Sequence, residues 1–225
     1  MKTNLYDKFK RHLPLIGIIV SVGLFILAAA NYPGGTTDSP DTVGYYWAQN
    51  FISALFAPTA LNGAPSRSRL FAIPSMLMVS VTICVLCMRI RANATSPMDK
   101  NALQIGGIGT MIYTFLIVTP MHNMMINFTL PFAFAVLFAL LHLLYASRRW
   151  LLFLSGVVSI MLLLLTALMY YETWLYAYLP LMQKVSLMAC VGWLLAVYYA
   201  VCNPVPQVST MPNKTIADNP YHRQV

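Results

Sequence analysis

The side chains in this sequence that could move a proton or hold a metal are few, and most fall between long apolar runs. Asp38, Asp41, His122 and Glu172 map to one side of a membrane-spanning arrangement, with Tyr45, Tyr46, Asn50, Asn123 and Asn127 beside them. His122 with one of those carboxylates would make an acid–base pair for hydrolysing a lipid at its headgroup, or part of a zinc site. The spacing is not that of a metal motif, which sets two histidines one helical turn apart. His142 does not join His122, because about 20 residues of continuous helix would hold them ~30 Å apart. A structural reading competes: His122 caps or bridges helices, Asp41 stabilises a helix start, and Glu172 pairs with Lys184 across the last hairpin. That reading is preferred here, so no catalytic residue is assigned. No cofactor is expected beyond zinc as a lesser option, with His122 its one histidine on that side.

The elements that must position these residues are membrane spans. The chain has 225 residues, 59% of them hydrophobic and 9% charged, far from the mix of a water-soluble globule. Six apolar runs follow one another: Leu13–Asn31, Leu70–Met88, Leu103–Thr119, Phe128–Ala146, Leu151–Tyr171 and Leu181–Cys202. Each approaches the ~20 residues that a helix needs to cross ~30 Å of hydrocarbon. The runs are continuous rather than alternating, which excludes a β-barrel. The expected fold is all-α, a polytopic bundle of six transmembrane helices. The first run, with its basic start and Ala28-Ala29-Ala30, also resembles a cleavable signal, but it is long for one.

Basic residues set the orientation, because lysine and arginine are retained on the cytoplasmic side. With both termini inside, all but Arg67, Arg69 and Lys184 of the 14 lysines and arginines are cytoplasmic. The expected location is the plasma (inner) membrane. Residues 1–12 form a cytoplasmic basic arm, 13–202 the membrane domain, and 203–225 a disordered cytoplasmic tail. The net charge of +8 favours contact with anionic lipids. A membrane-protein partner or a second copy of the chain is the other class of partner, and no motif points to nucleic acid. Cys84, Cys87, Cys190 and Cys202 imply no disulfide framework, and Cys84 with Cys87 is expected to be a packing pair.

Two stretches interrupt the hydrocarbon pattern. The first is the outer loop, 32–69. Tyr32-Pro33-Gly34-Gly35 ends the first span sharply, and Ser39-Pro40-Asp41 has the composition of a helix start. A helix from Pro40 to about Ala57 would put Tyr46, Gln49, Asn50 and Ser53 on one face and Trp47, Phe51, Ala54 and Leu55 on another. That predicts an amphipathic helix lying in the outer interface or lidding the bundle, with Ser66 capping the next helix. The second stretch is 120–131. There, either Thr129 caps a helix starting at Pro131, or the helix is continuous from His122 and Pro131 kinks it. Trp47, Asn50, Phe51, Asn123 and Asn127 are the candidate residues for binding lipid or a partner.

The outer loop also carries a resemblance. Tyr32-Pro33-Gly34-Gly35, Asp41, Gly44-Tyr45, Asn50-Phe51-Ile52-Ser53, Leu55, Asn62-Gly63 and Leu70-Phe71 resemble the uncharacterised six-span prokaryotic membrane proteins of domain of unknown function nine-nine-eight. Those are relatives of the Frag, DRAM and Sfk membrane proteins. The resemblance covers roughly Leu13 to Cys202 and implies the same topology. Family members usually carry an acid and a glycine around the Ser-Leu of the loop, where this chain has Ala54 and Phe56. The leading expectation is a non-enzymatic protein binding lipid or a membrane partner through an outer pocket. The alternatives are the hydrolase above and a small-solute transporter, disfavoured because no charged residue sits clearly at mid-membrane and no repeat is visible.

Overall fold

The computed structural model describes residues 5–172 and 174–202, with side chains described from residue 9 onward. Its helices are α1 (Leu5–Ala30), α2 (Arg69–Arg91), α3 (Pro97–Leu116), α4 (His122–Ala146), α5 (Trp150–Tyr171) and α6 (Leu179–Cys202). Among the described residues there is no strand, only the isolated bridges Gly34–Val43 and Thr59–Pro65. Five helices are long and apolar enough to cross a membrane: α1 from Phe9, α2, α4, α5, and Tyr176–Cys202, which contains α6. The third helix falls short because Asp99, Lys100 and Asn101 occupy its first turns and its apolar run begins only at Ala102.

Residues 5–12, within the expected basic arm, are helical and continuous with α1, which runs on through Pro14. One expectation is corrected at this level. Residues 40–57 do not form an amphipathic helix. They are turns leading into a five-residue 3-10 helix, Ile52–Phe56. Of the two alternatives for 120–131 the continuous one holds: α4 runs from His122 through Pro131, and Thr129 Oγ1 donates to the Met125 carbonyl (2.8 Å) rather than capping a helix start. The expected disorder of residues 203–225 concerns a segment outside the described residues, as do residues 1–4.

Neighbouring helices are joined by small residues and hydroxyls, as expected where close backbone approach and hydrogen bonding must replace the hydrophobic effect. Ser21 of α1 and Ser75 of α2 exchange hydrogen bonds, Ser21 Oγ to the Ser75 carbonyl (3.0 Å) and Ser75 Oγ to the Ser21 carbonyl (2.7 Å). Gly107 lets α3 close on Cys87 of α2, and Gly109 lets it close on Phe132 of α4. Tyr113 stacks on Phe128 and Phe132, at 5.4 and 5.5 Å between ring centroids. In the last hairpin Gly156 receives the Trp193 indole, and the Thr166 and Ser186 hydroxyls meet at 2.7 Å.

The helices thus form a closely packed series, α1 to α4, and a closely packed hairpin, α5 with α6; the contact between the two groups is sparser. The sixth helix is fastened to the first group at its C-terminal end. There Tyr198 donates to the Arg11 carbonyl (2.9 Å), His12 Nδ1 meets the Tyr199 hydroxyl (2.9 Å), and the Cys202 thiol reaches the Arg89 carbonyl (3.5 Å). These contacts gather the basic helix ends at one end of the bundle. At the opposite end, residues 32–68 form a cap over a small core of Ala28, Tyr32, Leu55, Phe56, Ala60 and Ala72.

Candidate functional site

The cap is built on close backbone approach. Ser39-Pro40-Asp41 makes the tip of a tight excursion, with the Ser39 carbonyl accepting from Thr36 N (3.0 Å) and Thr42 Oγ1 (3.1 Å). Behind the tip, Gly35 N donates to the Thr42 carbonyl (2.8 Å) and Gly44 N to the Pro33 carbonyl (3.1 Å). Gly35 has φ +88° and runs so close to Leu61 and Asn62 that a β-carbon there would strike their backbone. Only glycine meets both demands. Tyr32 holds the far side of the cap, its hydroxyl accepting from Leu61 N (3.1 Å).

Asn50 is the hub. It is 1% exposed, and every polar group it has is engaged. Its Oδ1 accepts from Tyr46 N (2.9 Å), its Nδ2 donates to the Gly35 carbonyl (2.7 Å), and its own N–H donates to the Tyr46 carbonyl (2.8 Å). Its carbonyl accepts from the Tyr45 hydroxyl (3.0 Å) and from Lys184 Nζ (2.5 Å). Burial first, and the neighbouring Tyr32 second, push the Tyr45 phenol well above its ordinary range, which keeps it a donor.

Lys184 enters from the second turn of α6 and is itself buried. Besides Asn50, its ammonium donates to the Pro180 carbonyl (2.9 Å) and lies 5.5 Å from the centre of the Tyr45 ring, within cation–π range. No described carboxylate is within ion-pair distance of it. The expected Glu172–Lys184 pair is therefore not formed: Glu172 is exposed at the end of α5, and the lysine is solvated by backbone carbonyls instead. Gln183 Oε1 accepts from Ile52 N (3.4 Å) and Phe51 meets Tyr176 at 5.8 Å between centroids, so three consecutive cap residues grip the last helix and the 3-10 turn, Tyr176–Tyr178, that leads into it.

Ser66 does not cap α2. Its hydroxyl bonds that of Ser68 (2.6 Å), which in turn donates to the Leu55 carbonyl (2.9 Å) and locks the 3-10 helix to the start of α2.

Of the binding candidates, Asn50 and Phe51 lie in this latch. Trp47 stands exposed beside it, edge-on to Tyr45 at 5.2 Å. Asn123 and Asn127 are exposed on the first turns of α4 and make no hydrogen bond to the cap among the described residues. Asp38 and Asp41 are exposed at the cap tip. His122 turns back on its own chain, Nδ1 donating to the Ile117 carbonyl (2.9 Å) across the α3–α4 turn, and it forms no ion pair with Asp38, Asp41 or Glu172 among the described residues. The described residues bring no three histidine, cysteine, aspartate or glutamate side chains together as a metal site.

The histidine–carboxylate pair that does form is elsewhere. At the basic end, Asp99 in the first turn of α3 is buried, and its carboxylate accepts from His142 Nδ1 of α4 at 2.8 Å. Ser96 precedes it as the N-cap. Ser96-Pro97-Met98-Asp99 is a helix-start signature that would have flagged this aspartate. No family model, curated protein or solved structure matches the chain.

Proposed function

We propose that this chain is a six-span integral membrane protein of the plasma (inner) membrane, with both termini cytoplasmic. On this reading it acts by binding, and the cap is the surface that engages a lipid headgroup or a membrane partner. The observation that carries it is a hydrogen-bonded cap that displays apolar side chains. Asn50 and Lys184 fix its backbone, while Val43 (84% exposed), Trp47 (54%) and Leu61 (49%) remain uncovered beyond the helix ends. Large apolar side chains left uncovered on a loop held in place by buried hydrogen bonds support an interaction surface. Across the rim, Trp174 and Tyr178 add aromatic groups suited to a membrane–water boundary.

Counting α3 as a span is supported by its companionship with α4 along its length. The Asp99–His142 pair joins the two at the basic end, and Tyr113 joins them further along by its two ring contacts. The basic helix ends, gathered at the end opposite the cap, support a cytoplasmic assignment for that end. The resemblance to the six-span family of unknown function belongs to the same proposal.

The test is native mass spectrometry of gently solubilised protein, wild type against Trp47→Ser. A defined lipid or protein retained by wild type and lost from the variant is the expected result. Equal retention by both would remove the cap from the binding surface.

A further inference from the structure

Three of the helices apolar enough to cross a membrane, α1, α2 and α6, each have one end at the basic end of the bundle, and there they bring two arginines onto the same tyrosine. The first helix supplies Arg11, two residues into its apolar span from Phe9, and the second supplies Arg89, in its last turn. Both lie within electrostatic reach of the Tyr198 hydroxyl of α6; Arg11 also reaches that of Tyr199, and Arg89 the Cys202 thiol. The Tyr198 and Tyr199 bonds to Arg11 and His12 hold α6 to α1 here, while Asn93 Nδ2 meets Cys202 Sγ (3.4 Å) and holds it to the segment that follows α2.

Neither guanidinium is neutralised within the chain. Among the described residues no carboxylate pairs with Arg11 or Arg89 and neither side chain makes a hydrogen bond, whereas Arg149, at the same end, is spent on the Ala200 carbonyl. Helix dipoles account for only one of the two. Arg89 complements the C-terminal end of α2, but Arg11 stands near the N-terminal end of α1, where the dipole favours anions instead. Two cations in reach of one hydroxyl repel each other, and an anion placed between them turns that repulsion into attraction. Residues 203–225 carry Lys214 and Arg223 against one acid, Asp218, so their composition offers no surplus of negative charge for the purpose.

We infer that Arg11 and Arg89 form a binding site for the phosphate of an anionic phospholipid, seated where α1, α2 and α6 come together. A guanidinium presents a planar fork of N–H donors that matches two phosphate oxygens, so forks from two helices can grip one phosphodiester from both sides. Depth selects a lipid over a soluble phosphate: both arginines stand at the ends of apolar spans, where headgroups lie. The first and sixth helices each pack on α2 but touch one another little beyond the tyrosine bonds, which leaves the lipid's chains a seam to follow. The site is at the end opposite the cap and stands independently of whether the cap binds anything.

The full chain in detergent, stripped of lipid, is titrated with phosphatidylglycerol and with phosphatidylcholine, and bound lipid is counted by native mass spectrometry. The expected result is one phosphatidylglycerol held more tightly than any phosphatidylcholine and not displaced by millimolar inorganic phosphate. Arg11→Gln and Arg89→Gln should each weaken its binding by about tenfold or more, the equivalent of one hydrogen bond to a charged group. Arg148→Gln, which removes the same charge from an exposed position at the same end, should leave it unchanged. An equal loss in all three variants would reduce the site to the diffuse field of the basic end and overturn the assignment, as would a lack of effect in Arg11→Gln or Arg89→Gln. Displacement by inorganic phosphate would give the site to a soluble phosphate and overturn the lipid. Neither arginine side chain bonds another described residue, so each variant retains the fold on which the titration depends.

Discussion

Lys184 is held in the bundle by carbonyl dipoles and an aromatic ring rather than by an acid, and its removal has a specific consequence. Lys184→Met removes the side-chain donor to the Pro180 carbonyl, which keeps its helical N–H partner, and leaves the Asn50 carbonyl with Tyr45 alone. A hydrogen bond to a charged group contributes about 1.5–3 kcal/mol. The variant should unfold at lower temperature and show faster amide exchange across Tyr46–Ile52, measured by mass spectrometry. Glu172→Gln should change neither, within about 0.5 kcal/mol, because Glu172 is exposed and unpaired with Lys184. The sequence makes the lysine conspicuous but not its partners. A lone lysine in an apolar helix asks for an acceptor, and Glu172 is the nearest acid along the chain; main-chain oxygens, which every residue carries, leave no letter to read. His122 does bridge helices, as the preferred reading had it, but its partner, the Ile117 carbonyl, is also backbone and could not be named from the sequence.

Among the elements, one signature had two outcomes. Ser96-Pro97-Met98-Asp99 starts α3, whereas Ser39-Pro40-Asp41 makes a turn tip. Lys100-Asn101-Ala102-Leu103-Gln104 continue the first with several good helix formers, while Thr42-Val43-Gly44 continue the second, and Gly44 takes φ +80°. A capping residue needs helix formers after it before it caps anything. The existence of the helices and their C-terminal ends, by contrast, were legible from hydropathy, since apolar runs of this length leave few other structures in lipid, while α1, α3 and α4 begin earlier than their apolar runs, at Leu5, Pro97 and His122. Packing between helices is partly legible in residue types: Gly106, Gly107 and Gly109 of α3 are the small residues that permit close approach, while Gly156 stands alone in a leucine-rich run. Its neighbour across the hairpin is Trp193, with no room between them. Gly156→Val should therefore destabilise by about 1–3 kcal/mol through overpacking, seen as a lower melting temperature in detergent. Gly192, with open space around it, should accept alanine with little change beyond helix propensity.

For the whole molecule the decisive quantity is the parity of the spans. Six crossings return the chain to the side on which it began, and five do not. Cells expressing a C-terminal fusion should show activity from a reporter that works only in the cytoplasm and none from one that needs export. The opposite pattern would leave α3 lodged in the bundle without crossing. The apolar run Leu103–Thr119 reads as a span in the sequence, the polar first turns of α3 dilute it in the helix as formed, and the pairing with α4 supports its full passage. The latch between Asn50 and Lys184 has one more implication, which concerns time. The two residues are 134 positions apart, and Lys184 belongs to the last helix made. At roughly 5–20 residues per second, about 7–27 s separate them during synthesis. For that interval the cap exists without its anchor, so its final shape records that the last helix has arrived.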